Sequence, residues 1–285
     1  MPARNAIGSH VSAAGGLLRV FARAEAVGAE VVQLFVSSPR AWAVPAPDPR
    51  ADAEFAAARA DRALPVYVHA PYLINLGATS GDVVTRSRQA LEFALRRGAA
   101  IGAAGVVVHA GSAVGSTVPA DAMAAARRTV HDALSAVDGI DVLIEPTAGG
   151  GGALAATAAS LRDFLDALGR DARIGVCLDT CHMHAAGHDL STVRRFGAEL
   201  RAYAAAAEGQ VRLVHVNDSR DPAGSLRDRH TALGSGTIGI APFGALFTTG
   251  ALAGVPLVVE TAESDHASDI ASLVALRDRR RNRAA

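Results

Sequence analysis

Lysine is absent from this chain: all 28 basic side chains are arginine. Arginine and alanine codons are both GC-rich, so base composition accounts for the bias and no function is read from it. Cysteine is scarce as well. Cys177 and Cys181 are too few to staple a fold with disulfides, and the expected compartment is a reducing cytoplasm. A membrane span needs some 18 uninterrupted apolar residues, and no such run exists. The best stretch, Ala99 to Gly115, is short, rich in Gly and Ala, and broken by His109. The opening Met1-Pro2-Ala3-Arg4-Asn5 is not a basic segment leading into an apolar one, so no secretory signal is expected. An excess of either charge is missing too, because 28 acidic residues balance the 28 arginines. By itself that balance speaks against a polyanionic partner.

What is present is a rhythm. Half of the 285 residues are apolar, enough for one large core. Eight strand-like runs recur, at Ala6 to Val11, Val31 to Phe35, Val66 to His69, Val106 to His109, Val142 to Glu145, Ile174 to Asp179, Val211 to His215 and Leu257 to Glu260. Most are followed by an Ala/Leu/Arg-rich helical pattern. Their ends lie roughly 25 to 45 residues apart, the length of a strand–helix unit that keeps neighbouring strands parallel. With no break in composition and no long linker, these units predict an α/β fold, a single (β/α)8 barrel over residues 1–285. Ala46-Pro47-Asp48-Pro49 and Gly149 to Gly152 fall in its loops. The first helix is expected over Leu17 to Val27 and the last over Asp269 to Leu276. Residues 277–285, with Arg277, Arg279, Arg280, Arg281 and Arg283, would then be a solvated, frayed basic tail.

The chemistry stands at the strand ends. In Gly175-Val176-Cys177-Leu178-Asp179-Thr180-Cys181-His182, the alternation of Val176 and Leu178 with Gly175, Cys177 and Asp179 makes Asp179 close a strand. His182 follows in the turn or first helical residues. In order, the eight runs offer His10, nothing ionisable, His69, His109, Glu145, Asp179, His215 and Glu260. In a parallel barrel such ends converge on the C-terminal face, where catalytic groups gather. A lone strand-end histidine is usually a hydrogen-bonded core residue. Several carboxylates at one mouth are harder to explain, because they repel unless cations neutralise them. Imidazole mixed with carboxylate favours Zn or Mn over Mg or Ca. A second group follows the seventh run. Asp228 and His230 point to one side if their segment is extended, and with His182 they would supply two imidazoles and one carboxylate. Taken alone, Asp228 and His230 read more readily as a surface loop of mixed charge.

Four blocks carry a family resemblance: Ser9-His10-Val11-Ser12-Ala13-Ala14-Gly15-Gly16, His69-Ala70-Pro71-Tyr72-Leu73-Ile74-Asn75-Leu76-Gly77, Gly175 to His182, and Asp228-Arg229-His230. They resemble the signatures of endonuclease IV (deoxyribonuclease IV), a family of metal-dependent apurinic/apyrimidinic endonucleases, over nearly the whole chain and in order. The resemblance implies a TIM barrel with its active site at the C-terminal face and three Zn2+ ions per chain, with Mn2+ as a partial alternative. His69, His109 and Glu145 would hold one ion. Glu145 would bridge to a second, completed by Asp179, His215 and Glu260. His182, Asp228 and His230 would hold the third. As the bridging ligand, Glu145 would also be the catalytic carboxylate that positions the attacking water. Three divalent cations outweigh the four carboxylates assigned to them, so balanced formal charge is no bar to nucleic acid. The chain departs from the family at Pro146, where some members have Asn, and at Ser235, where many have Glu.

The implied substrate is double-stranded DNA carrying abasic sites or blocked 3′ ends. The implied reaction is hydrolysis 5′ to the abasic site, leaving a 3′-hydroxyl and a 5′-deoxyribose phosphate, with 3′-phosphatase and 3′-diesterase activity beside it. A monomer without an obligate protein partner is expected. Arg40, Tyr72 and Leu73 match the family's DNA-inserting residues, although on their own Tyr72 and Leu73 would simply pack their loop. His10, Asn75 and Asn217 are expected to support the ligands from behind, with Gln33 and Ser112 as further polar partners. His184 and His188 are near enough in sequence to line the site. His131 should face solvent, His266 carries no signal, and Cys177 and Cys181 read as small buried groups. Two rivals stand beside this reading. A divalent-metal sugar isomerase or epimerase on the same barrel would need only one or two ions, and a non-catalytic DNA-damage binder would need no hydrolysis.

Overall fold

The computed structural model describes residues 4–79, 81–114 and 118–284. Its centre is a closed barrel of parallel strands: β1 (Ile7–His10), β2 (Val32–Phe35), β3 (Val66–His69), β4 (Gly105–His109), β5 (Val142–Glu145), β6 (Ile174–Asp179), β7 (Val211–His215) and β10 (Leu257–Val259). Neighbours pair in chain order, and β10 closes the ring on β1. Each of these strands lies within one residue of its expected run. Two further strands, β8 (Asp218–Ser219) and β9 (His230–Thr231), form a small antiparallel pair in the connection after β7.

The barrel interior explains where the polar groups stand. Val31, Tyr67, Val107, Leu143, Cys177, Leu213 and Val258 make a buried layer across it. Side chains alternate along a strand, so the residue two further on points the same way. Two further on are Gln33, His69, His109, Glu145, Asp179, His215 and Glu260. The polar mouth is therefore the next tier of the same inward rows, resting on an apolar floor. Register keeps the tier level, with His109 opposite Glu145 and Asp179 opposite His215. On β1, Gly8 takes the floor position beneath His10, and nothing larger fits. A Cβ there would fall 1.7 Å from the Val31 carbonyl oxygen.

Around the barrel run α1 (Arg19–Ala26), α2 (Pro49–Arg62), α3 (Gly81–Ala100), α4 (Pro119–Ser135), α5 (Ala158–Leu168), the short α6 (Thr180–Ala185), α7 (Val193–Ala206) and α8 (His266–Ala284). Between β9 and β10 two 3-10 segments, Ala241–Phe247 and Gly250–Leu252, stand where a full helix would be. Among the described residues no helix is long and apolar enough to cross a membrane.

Two expectations need correction. His131 does not simply face solvent: it is half-buried, and its Nε2–H donates to the Leu168 carbonyl at 2.7 Å, tying α4 to the end of α5. The last helix does not stop at Leu276 but runs on through the arginine-rich stretch, and Arg277 is buried. Ile270, Leu273 and Arg277 share one helical face, which turns Arg277 inward while its charged neighbours mask the fact in the sequence. Its guanidinium donates to the Asn5 carbonyl at 2.9 Å and to Glu30 Oε2 at 2.8 Å, latching the last helix to the entry of the first strand. Burial alone would raise the Glu30 pKa, yet the hydrogen bonds from Arg277 and the Ile7 amide hold it below the ordinary value. A depressed carboxyl contributes stability that is present above its unfolded pKa and lost as pH falls through the folded one. Arg277→Met is expected to cost about 2 kcal/mol at neutral pH, and the deficit should narrow below about pH 4 as Glu30 protonates. Urea unfolding at the two pH values measures both. Equal stability at neutral pH would return Arg277 to a solvated tail.

Candidate metal centre

Glu145, with no exposed surface, is the hub of the barrel mouth. Its Oε2 lies 3.2 Å from His69 Nε2 and 3.4 Å from His109 Nε2. Its Oε1 lies 3.2 Å from His215 Nδ1, which is also 3.2 Å from Glu260 Oε2 and 3.8 Å from Asp179 Oδ2. Beside this group, Asp228 presents Oδ2 to His182 Nε2 at 3.1 Å and Oδ1 to His230 Nε2 at 2.8 Å. A tetrahedral ion with ligands at about 2.0–2.1 Å sets its donors about 3.3–3.4 Å apart, and these separations cluster around that edge. His230 Nε2 is buried and out of hydrogen-bond alignment with any partner, including the adjacent Asp228 oxygen. A buried ring nitrogen without an aligned partner suits a cation once its proton is shed. The nine side chains named from the sequence, His69, His109, Glu145, Asp179, His182, His215, Asp228, His230 and Glu260, are thus gathered into clusters able to hold divalent cations.

Each of three histidines is turned by a bond to its far nitrogen, the arrangement that fixes a ligand's tautomer. His69 Nδ1 meets the Ala70 carbonyl at 2.7 Å, and His182 Nδ1 meets the Pro146 carbonyl at 2.9 Å. Because the latter partner is main chain, the unusual proline at 146 leaves the contact intact. His215 Nε2–H donates to Gln33 Oε1 at 2.9 Å, while Gln33 Nε2 donates to Glu260 Oε1 at 2.6 Å and to His10 Nδ1 at 2.9 Å. Burial lowers the His10 pKa against the pull of Glu260, keeping the ring neutral to accept that bond. Asn217 donates to Asp179 Oδ2 at 2.7 Å and accepts the Glu260 amide at 2.9 Å, joining the ends of β6 and β10. Asp179 uses its other oxygen to cap α6, accepting the His182 amide at 2.8 Å.

His10 and Asn217 stand behind members of the cluster, hydrogen-bonded to Gln33, Asp179 and Glu260. Asn75 does not. Its Oδ1 accepts the amides of Gly77 and Ser112 at 3.1 and 2.8 Å, binding the loops after β3 and β4 to each other rather than to any ligand. His188 is also elsewhere, between Glu199 at 2.7 Å and the Tyr203 hydroxyl at 2.9 Å. His184 meets the Thr237 hydroxyl at 2.9 Å, and Cys177 belongs to the apolar floor. Cys181 approaches Asp179 and His230 closely enough to enter a ligand shell, but burial pushes its thiol pKa up and favours the neutral form. Gln33 carries more of the site than its sequence suggested. The usable signal was its place two residues beyond Val31, on the inward row of β2.

On the rim, Tyr72 is 47% exposed despite its apolar ring. It stacks on His109 at 5.8 Å and meets His69 edge-on at 5.4 Å. Its amide donates to the Pro39 carbonyl at 3.0 Å, so the loop carrying Tyr72 and Leu73 is tied to the one carrying exposed Arg40. Tyr72, Leu73, His109 and Gly149 to Gly151 are among the walls of a cavity of about 400 Å³ that opens beside the cluster.

Comparison with known proteins agrees with this geometry. Residues 21–278 match the family described as Xylose isomerase-like TIM barrel. Over 282 residues the chain is 46% identical to the probable endonuclease 4 of Streptomyces coelicolor, covering 96% of each protein. The chain belongs to the endonuclease IV family. The probable endonuclease 4 of Mycobacterium tuberculosis is 43% identical over 268 residues, covering 94% of this chain and 97% of that one. Among solved structures, endonuclease IV from Thermus thermophilus superimposes with a TM-score of 0.84 at 32% identity, covering 96% of this chain and 99% of the other. A D-tagatose 3-epimerase-like protein also superimposes, with a TM-score of 0.75 at 17% identity over 98% and 100% of the two chains, a likeness of fold alone.

Without cations the cluster must compensate itself with protons. Burial works against charge on Glu145, His182, His215 and His230, but the surrounding partners win. The pKa of Glu145 is held well below the ordinary value by His215 and His109, and those of His182 and His215 are raised well above theirs by neighbouring groups, carboxylates chief among them for His182. The carboxylate of Asp228, 2.8 Å away, and the charges of Asp179 and Glu260 bring His230 to about 9. Imidazoles raised above their unfolded value near ~6.5 stabilise the metal-free protein at low pH, and that contribution is lost as pH rises through about 9. Cation affinity runs the other way, since each ligand must shed its proton first. Titrating zinc into metal-free protein at pH 7 in weak buffer should release roughly two or more protons per chain, counted with a pH indicator. Zinc uptake without proton release would mean that His182, His215 and His230 are already neutral in the metal-free protein.

Proposed function

We propose that the protein is a zinc-dependent apurinic/apyrimidinic endonuclease of base excision repair, holding three ions on the nine clustered side chains. On this reading it hydrolyses the phosphodiester 5′ to an abasic site in double-stranded DNA, leaving a 3′-hydroxyl and a 5′-deoxyribose phosphate. It would also clear blocked 3′ ends by phosphatase and diesterase action. The observation that carries the reading is the cluster of His182, Asp228 and His230 beside the strand-end ligands. A sugar isomerase needs one or two ions and has no use for a hairpin built to add another pair of ligands.

Divalent ions bound here would lower the pKa of a water, offset phosphate charge and stabilise the departing oxygen. The chain's own residues supply the arrangement. Glu145 offers one oxygen to each side of the hub, so it orients two ligand groups about a common carboxylate. Gln33, Asn217 and His10 keep His215, Asp179 and Glu260 from turning away. The tier of Val31, Tyr67, Val107 and their neighbours shuts water out below, leaving approach from the rim.

Selectivity for damage would follow from the rim. An abasic nucleotide has no base to unstack, so turning it out of the duplex costs less than turning out an intact one. Tyr72 and Leu73 stand ready to fill the gap, with Arg40 tied beside them through Pro39. Burial raises the pKa of the Tyr72 hydroxyl further above the ordinary value, keeping the ring neutral against DNA.

Metal-replete protein should nick a duplex containing one abasic site, and analysis of the termini should find a 3′-hydroxyl and a 5′-deoxyribose phosphate. Glu145→Gln should lose about 100-fold or more of that rate; a β-elimination end, or full activity in demonstrably metal-free protein, would overturn the assignment. The double variant Tyr72→Ala, Leu73→Ala should keep its zinc yet bind abasic duplex about tenfold more weakly, as read by fluorescence anisotropy. Unchanged affinity would remove the wedge role.

A further inference from the structure

The ligands do not share one kind of support. Six stand on or directly after barrel strands and His182 on the first turn of α6, whereas Asp228 and His230 sit on an excursion between β7 and β10. That excursion begins with Asp218, which is fully buried. Its carboxylate is wrapped by main-chain amides. Oδ1 accepts from Ser219 at 2.8 Å and Ile238 at 2.9 Å, and Oδ2 accepts from Gly234 at 2.9 Å, Gly236 at 3.1 Å and Gly239 at 3.2 Å. A buried carboxylate so enclosed is satisfied only while the loop 234–239 stays folded round it.

The loop is shaped to do so. Gly234 and Gly239 have φ of +85° and +77°, a region that side chains resist. A Cβ on Gly236 would fall 2.4 Å from both Asp218 Oδ1 and the Ser219 carbonyl oxygen. The same clasp holds the ligand-bearing strand. Asp218 pairs with Thr231 and Ser219 with His230 in the β8–β9 ladder. The Arg220 amide donates to the Arg229 carbonyl at 3.0 Å, between the two ligands.

We propose that Asp218 is a positioning residue, which by gathering the amides of residues 234–239 holds Asp228 and His230 in place and sets how tightly the third ion is kept. The proposal rests on reading His182, Asp228 and His230 as that ion's ligands. It makes the third ion separable from the other two, whose ligands stand on the barrel and are untouched by the clasp.

The test is zinc retention, measured on the full chain. Wild type, Asp218→Ala, Asp218→Asn and Gly236→Ala are loaded with zinc and challenged with a chelator, while metal per chain and amide exchange over 218–239 are followed. Asp218→Ala should release one zinc about 10- to 100-fold faster than wild type and keep the other two. Exchange at Gly234, Gly236, Ile238 and Gly239 should quicken. Asp218→Asn, retaining one carbonyl oxygen, should fall between, and Gly236→Ala should show the same selective loss with the carboxylate intact. If Asp218→Ala does not fold, the release rates of the other two variants decide the question. Wild-type release in those variants, or loss of all three zincs together, would overturn the proposal. A wild-type chain that never holds a third zinc would instead sink the underlying reading of the cluster.

Discussion

The constraint on which the rest of the structure depends is charge compensation around one buried carboxylate. Glu145 is withdrawn from water and surrounded by imidazoles on both of its oxygens. A carboxylate so placed is tolerable only with positive charge beside it, whether protons on the histidines or cations among them. The barrel exists in a form that delivers this. Its parallel register sets His109 level with Glu145 and Asp179 level with His215, while the apolar tier beneath denies the cluster water from below.

Two scaffolds of different character meet at that mouth. The strands are bonded to neighbours on both sides and buried on both faces, so a ligand on them inherits the rigidity of the core. The excursion after β7 is defined by a two-residue ladder, a wrapped carboxylate, the Arg229–Asp221 ion pair and main-chain bonds to α6. Function uses both. A fixed set of groups stands at the axis, and a second set is added from a loop, where chemistry can be varied without disturbing the barrel.

The sequence showed much of this and hid a definable remainder. All eight barrel strands were legible to within a residue, because runs rich in Val, Ile and Leu punctuated at regular spacing have few alternatives to a parallel sheet. The inward direction of the strand-end His, Asp and Glu residues followed from the period of two. The residues suggested grouping His182 with Asp228 and His230, but the division of the other six side chains came only with the family resemblance. Contacts across great chain distance were out of reach: Gln33 meets partners 182 and 227 residues away. Arg277 was misread because a run of arginines looks uniformly solvated until the helical face is known. Asn75 was misread because an amide next to a ligand block can serve a loop as readily as a metal.

The double use of Asp179 has a consequence for size discrimination. One oxygen starts α6 by capping the His182 amide, and the other faces His215 and, at 3.8 Å, His230. Members of two neighbouring groups are thereby joined through a single turn of helix, whose pitch is set by backbone geometry. On the proposed function, the gap between those groups would serve as a ruler that a substrate's charged oxygens have to match.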